Sequence, residues 1–282
     1  MNIFINNKQA EITLETEKNL GQVMSGLEQW ISPTGNRIHN ISINGQTVPD
    51  EHLQKVFSTE IKEIERLDVS ICSWRELAAE ALEHLHDTCS MYEDAVFDER
   101  KNIFNDWENS YAARFFASDI PDFYRLAANT LSGEGFTAAD LKNLIEERLR
   151  EIVDPEKETQ TCETLVKQIA ARMEELPLDI QTGKDERASE TIRLFSQLGE
   201  KLFRIFFVYK SAGLSSDAFT VDDQSFREFM DGFNSALREL SGAYQNQDTV
   251  LIGDTAEYEL APQLLKFFSA LKNIKSHIAL EL

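Results

Sequence analysis

The stretch from residue 184 to 212 constrains this chain more than any other. Ala188, Ile192, Phe195, Gly199, Leu202, Phe206 and Tyr209 recur at alternating steps of four and three, which puts them on one stripe of an α-helix. Phe203, Ile205, Phe207 and Val208 widen the stripe, and from Leu202 to Tyr209 only Arg204 is not apolar. A helix that is apolar over so wide an arc is buried between neighbours, so the stretch predicts the central helix of a bundle. Gly199, on the stripe, predicts a close approach by another helix. The apolar run falls short of the roughly 20 residues that span a bilayer. The periodicity already present at Ala188 favours helix over a short buried strand.

What surrounds this stretch reads as further helices. Gly and Pro number 12 and 6 in 282 residues, a scarcity that favours long helices over a turn-rich β fold. Thr220-Val221-Asp222-Asp223 predicts a cap for a helix whose stripe is Phe226, Phe229, Met230, Phe233, Leu237 and Leu240, with a turn from Gly242 to Asp248. Leu251, Ile252, Thr255, Tyr258, Leu265, Phe268, Leu271 and Ile274 predict a last helix that Pro262 kinks or splits, because proline removes one helical hydrogen bond. That kink forms either a bend around the core or a notch for a ligand or partner. Leu165, Ile169, Met173 and Leu176 predict one more helix, stopped near Pro177.

Upstream, Ser73 and Glu76 make a capping box. The helix it opens carries a seam of Ala78, Leu82, Leu85, Cys89, Tyr92 and Val96, continued by Ile103, Trp107, Tyr111 and Phe115, and is expected to reach about Ser118 with one break. Pro121 starts another helix, Thr137 caps the next, and Asp154-Pro155 reads as a linker.

Residues 1–72 follow a different rhythm. Ile3 and Ile5 alternate with polar neighbours, Asn6-Asn7 turns the chain, and Ile12 and Leu14 alternate again, a hairpin pattern. Leu20, Val23, Met24, Leu27 and Ile31 fall at helical spacing. Ile38, Ile41 and Ile43 lead into the turn Asn44-Gly45, and Ile61, Ile64, Leu67, Val69 and Ile71 supply the last strand region. With MNIFINNKQAEI at the start, ISINGQTVPDEHLQ after the helix and Glu63–Val69 on the closing strand, this quarter of the chain resembles the ubiquitin-like β-grasp domains, most nearly the ThiS-type sulfur carriers. The resemblance implies one helix packed on a small mixed sheet. Carrier function in that family needs a free C-terminal Gly-Gly, whereas here the strand runs through Ser70-Ile71-Cys72 into a helix. Other β-grasp domains hold an iron–sulfur cluster on four cysteines, and Cys72 alone cannot. What the resemblance leaves is a recognition module.

The expected fold is therefore α+β: a β-grasp domain at 1–72, a long-helix segment at 73–158 and an α-helical bundle at 159–282. One constellation bears on chemistry. Glu80, His84 and Asp87 share a helix face, and Glu83 with His86 has the Glu-x-x-His spacing of di-iron carboxylate bundles. The Glu80 stripe lies about 200° around the helix from the apolar seam, and neither His39, His52 nor His277 has a Glu three residues before it. A solvated polar face is the expectation, and a metal-dependent bundle enzyme using Glu80, Glu83, His84, His86 and Asp87 is the alternative. No cofactor is expected, and Cys89 reads as a small core residue.

The net charge of −21, from 28 basic and 49 acidic residues, disfavours nucleic-acid backbones and anionic lipid. It suits a basic protein partner, and a homo-oligomer is compatible with it. Cys72, Cys89 and Cys162 are odd in number and in no metal-like spacing, as in a reducing compartment. The N-terminus lacks a charged segment followed by an apolar one, so a cytoplasmic location is expected. Together these features point to a non-enzymatic adaptor or scaffold working through protein–protein contacts.

Overall fold

The computed structural model describes residues 1–14, 16–49, 52–214 and 219–274. His277 and residues 215–218 of the predicted loop lie outside the described residues. The fold is α+β, a mixed sheet followed by a large helical body. Contacts group the chain into two compact units, Met1–Leu149 with Ser211–Gly213, and Arg150–Lys210 with the chain from Leu214 onward.

In the first unit, β1 (Asn2–Ile5) turns at Asn6-Asn7 into β2 (Lys8–Gln9). Helix α1 (Leu20–Ile31) follows, capped by the Asn19 side chain accepting from the Gln22 amide. Its predicted stripe of Leu20, Val23, Met24, Leu27 and Ile31 is buried. Then come β3 (Asn36–Ile43), β4 (Gln46–Thr47), the short α2 (Leu53–Val56) and β5 (Arg66–Ser73). The sheet order is β2-β1-β5-β3-β4, with β1 parallel to β5 and the other pairs antiparallel. Ile3, Ile41, Leu67 and Val69 are buried in one cluster with the α1 stripe, while Ile5 and Ile43 are partly covered at its edge.

Two asparagines close this sheet. Asn6 and Asn44 sit at φ 46° and 51°, the left-handed region that two-residue hairpin turns demand and asparagine tolerates. The Asn44 Oδ1 accepts from the Glu65 and Arg66 amides at 2.9 and 3.0 Å. The Asn6 side chain exchanges hydrogen bonds with Ile71. The second predicted strand of the first hairpin is shorter than its alternation suggested: Ile12 is exposed and β2 ends at Gln9. Ile61–Glu63 is a 3-10 turn that delivers Ile64 to the core before the strand begins.

Helix α3 (Trp74–Asp94) starts on the predicted capping box, with both reciprocal bonds of Ser73 and Glu76 present. The helix expected to reach about Ser118 with one break has two, and runs as α3, α4 (Phe97–Glu108) and α5 (Tyr111–Asp119). The chain breaks where Ala95 and Val96 are extended, and again where the Ser110 hydroxyl caps α5. Past the first break Trp107 is buried and Ile103, Tyr111 and Phe115 are partly so, while Val96 is exposed. Helix α6 (Pro121–Leu131) and all but the last turn of α7 (Ala138–Val153) complete the unit. Trp107, Phe116, Phe123, Leu141 and Ile145 are buried, with Phe116 edge-on to Phe123 at 5.2 Å.

In the second unit, α8 (Pro155–Thr161) replaces the predicted linker. Asp154 accepts from the Lys157 amide, Pro155 occupies the first turn, and Pro155, Glu158 and Thr159 are buried. A proline there costs no hydrogen bond, so Asp-Pro reads here as a helix start. Next are α9 (Glu163–Glu174), α10 (Leu176–Gln181) and α11 (Asp185–Ser211). Helix α11 carries the seven-residue stripe into the core, with Ala188, Phe195, Gly199, Leu202, Phe206 and Tyr209 buried and Ile192 partly so. Phe207 is exposed, so the apolar arc is less than complete.

The predicted cap at Thr220–Asp223 is instead a hairpin, β6 (Thr220–Val221) and β7 (Gln224–Ser225), turning on Asp222 and Asp223 at φ 53° and 64°. The cap of α12 (Phe226–Asn246) is Ser225 with Glu228. Gly242 lies inside that helix, and the turn is confined to its end at Gln247. Then α13 (Thr249–Asp254) runs through a π-helical turn, Thr255–Leu260, into α14 (Ala261–Lys272). The Ala261 amide reaches back to Ala256, and this widened turn gives the Pro262 ring room beside the preceding carbonyls. The proline neither ends the helix nor splits it.

The close approach expected at Gly199 is found instead at another helical glycine, Gly253. A Cβ at Gly199 would meet no other element within 4 Å, whereas one at Gly253 would lie 2.8 Å from the Pro177 ring. Gly199→Ala is therefore expected to stabilise the protein by about 0.5–1 kcal/mol through helix propensity. Gly253→Ala is expected to destabilise it by about 1–3 kcal/mol, because a rigid ring must move. Urea melts of the two variants check both signs.

Candidate functional site

The sequence-predicted constellation lies on α3, and the structure divides it. Glu80, Glu83 and Asp87 are exposed, while His84 and His86 are partly covered. The His84 ring lies 5.5 Å from that of Tyr111 on α5, and the Tyr111 hydroxyl donates to the Glu80 carbonyl at 3.1 Å. Burial first, then the Glu80 carboxylate, push the Tyr111 phenol up, so it stays a neutral donor at any physiological pH. His86 Nε2 stands 3.7 Å from a Glu146 oxygen on α7, and His39, at the bulge of β3, stands 4.0 Å from Glu80. These are separate pairwise contacts. Among the described residues, no three His, Cys, Asp or Glu side chains converge as metal ligands. His86→Ala is expected to change stability by no more than about 0.5 kcal/mol. His84→Ala is expected to cost about 0.5–1.5 kcal/mol, for the ring it leaves behind; thermal melts distinguish the two.

The cysteines do not suit nucleophilic chemistry. All three are unpaired thiols. Burial, then the Glu93 carboxylate, push Cys89 up to about 12, and burial raises Cys72 and Cys162 as well. A cleft of about 650 Å³ lies between the β6–β7 hairpin and the end of α14, lined in part by Phe219, Asp222, Asp223, Lys266, Ser269 and Asn273. Asp222 is engaged by Lys266 at 2.6 Å, so the cleft presents an ion pair, a second carboxylate at Asp223 and the neutral polar side chains of Thr220, Ser269 and Asn273.

Sequence reasoning missed two features. One is a pair of buried acids, Glu151 on α7 and Glu158 on α8, answered by the α11 cations. Arg204 grips Glu151 through two bonds, at 2.9 and 2.7 Å, and Lys201 and Arg150 approach Glu158 at 3.5 and 3.0 Å. Burial raises Glu158, but the Thr161 hydroxyl and the two cations more than offset it and hold the carboxyl below its usual range. Only Arg204's position inside an apolar run hinted at this. The other feature is the α3–α4 corner. Met91, Val96 and Phe97 are 61, 64 and 86% exposed, and Glu93, Asp94, Asp98 and Glu99 are exposed around them. The seam count had assigned Val96 to the core.

The fold thus defines an α+β chain with a five-stranded mixed sheet at its N-terminus and a helical body. Residues 1–73 match the family model described as the TP0873 N-terminal domain, a match that ends on the last residue of β5. Residues 157–270 match a domain of unknown function, DUF8042, within the second unit. No curated protein matches the chain, and no solved structure does. Among the described residues no helix is long and apolar enough to cross a membrane.

Proposed function

We propose that this protein is a non-enzymatic cytoplasmic adaptor, built from a ubiquitin-like β-grasp head and a helical body, that works by contact with another, basic protein. The observation that carries this reading is the carboxyl end of β5. The order β2-β1-β5-β3-β4, with β1 and β5 parallel at the centre and α1 packed on the sheet, is the arrangement expected of a β-grasp domain. In a sulfur carrier the end of that central strand is a free tail. Here Ser73 is both the last residue of β5 and the N-cap of α3, and its amide and hydroxyl are committed to Glu76. A strand end built into a helix cannot be activated and transferred, so a recognition role fits the head better than a carrier role. The acidic balance of 49 to 28 supports a basic partner. Unpaired thiols support a reducing compartment.

Two measurements on the full chain, purified without a His tag, test this. Elemental analysis is expected to find no stoichiometric transition metal, and titration with captured partner proteins is expected to show saturable binding that weakens with salt. A stoichiometric metal lost in the His84→Ala/His86→Ala variant would replace the adaptor reading with the metal-dependent enzyme.

A further inference from the structure

From the α3–α4 corner we infer a docking knob: Phe97, with Val96 and Met91, seats in an apolar pocket on a partner protein whose rim carries Lys and Arg. This rests on the adaptor reading and gives it a surface and a partner chemistry. The corner is braced from within. Ala95 and Val96 are extended, at ψ 144° and 158°. The Arg100 Nε donates to the Ala95 carbonyl at 3.2 Å while its guanidinium lies 4.9 Å from the Tyr92 ring centre. Lys142 holds Glu93 at 3.0 Å. The loop before α7 passes beside Tyr92, where a Cβ on Gly133 would lie 3.9 Å from the hydroxyl, and that loop carries Phe136, also exposed.

Two local rules are broken on this braced frame. Helix N-caps favour Ser, Thr, Asp or Asn, yet Val96 occupies the cap of α4 and makes no side-chain cap bond. The next residue is a phenylalanine with almost all of its surface in water. Single exposed apolar residues are ordinary; here three large ones, Met91, Val96 and Phe97, fall within seven residues at one corner. Violations of this kind collect at functional sites. A rigid aromatic is the side chain that anchors interfaces at low entropic cost.

Charge selects the occupant. Glu93, Asp94, Asp98 and Glu99 surround the apolar residues. Of the nearby bases, Arg100 folds inward and Lys142 is paired with Glu93, which leaves Lys101 facing an acidic excess. A second copy of a chain of charge −21 would bring acids onto acids. A pocket with a basic rim removes that repulsion and speeds encounter.

The test is site-specific cross-linking with the full chain in its native cells. Phe97 is replaced by the photo-cross-linking analogue benzoylphenylalanine, and in parallel Trp30, an exposed residue of the head. Position 97 is expected to capture a heterologous protein through a peptide rich in Lys or Arg beside apolar residues. Asp94→Lys/Asp98→Lys/Glu99→Lys is expected to cut that yield at least tenfold with an unchanged melting curve. Cross-links at 97 to the chain itself, to lipid or to nothing above background overturn the inference, as does a yield indifferent to charge reversal. Capture at 30 without capture at 97 leaves the adaptor reading standing and sinks the knob alone. Silence at both positions sinks both.

Discussion

Phe206→Ala is expected to cost about 3–5 kcal/mol of stability and to lower the melting temperature by roughly 6–20 °C. Phe206 is 4% exposed in the last two turns of α11. Its ring lies 4.2 Å from that of Phe226, 4.7 Å from Phe219 and 6.1 Å from Phe267. Three elements thus meet on one side chain: the approach to the β6–β7 hairpin, the first turn of α12, and α14. Truncation leaves a cavity that these rings cannot collapse into, because each is held by the others, with Phe229 5.5 Å from Phe267 and Phe219 5.7 Å from Phe226. The loss is a large share of a typical total of about 5–15 kcal/mol. The neighbouring Phe207 supplies the control. It is chemically identical and exposed, so Phe207→Ala is expected to cost no more than about 1 kcal/mol. Urea denaturation of both variants, followed by far-UV circular dichroism, measures the contrast. Equal midpoints would mean that the stripe is a surface and that the second unit is assembled around something else.

How much of this was legible in the sequence depends on the range of the interaction involved. Helical stripes depend on residues three and four apart, and Leu20 to Ile31, Phe226 to Leu240 and Ala188 to Tyr209 were readable for that reason. Asn44-Gly45 was readable because few dipeptides accept positive φ. Asp222-Asp223 makes the same turn, but Thr-Val-Asp-Asp ahead of an apolar periodic run also looks like a cap, and the pairing of β6 with β7 decides it. One break was expected in the stretch after α3 and two are found; the one after Glu108 left no trace, because the step of four from Trp107 to Tyr111 and Phe115 runs through it. Gly199 and Gly253 show the same limit. Both lie inside helices, and only the position of Pro177, far away in sequence, makes one of them a close contact and the other free space. Of the candidate site, the spacing on α3 was read correctly as a helix face. The side chains that cover His84 and His86 come from α5 and α7, and no local pattern carries them.

A contact between distant parts of the chain sets the second large expectation. Arg204→Met is expected to destabilise the protein by about 3–5 kcal/mol, and Arg204→Met with Glu151→Leu to recover most of that loss. Arg204 lies 53 residues from Glu151 in sequence, and the two make a bidentate pair. The Glu151 side chain is 2% exposed. Removing the guanidinium strands a carboxylate that water cannot reach, and that penalty, rather than the attraction lost, dominates the single variant. Replacing both partners with apolar side chains of similar volume removes the penalty along with the pair, so the double variant is expected to fall near wild type. The double-mutant cycle should then show a coupling of at least about 3 kcal/mol, at or beyond the upper end of the range seen for contacting residues. Additive losses in urea melts would show that Glu151 finds another partner or reaches solvent. The pair also explains a charge in the most apolar run of the chain. Between Leu202 and Tyr209 every other residue is apolar, and Arg204 adds a directional, charge-assisted contact to a buried acid. The role we assign to this pair is to fix the rotation of α11 against the last turn of α7, within the second unit. If that is its role, the double variant should keep its stability yet lose sharpness, with poorer dispersion of its methyl resonances than the wild type.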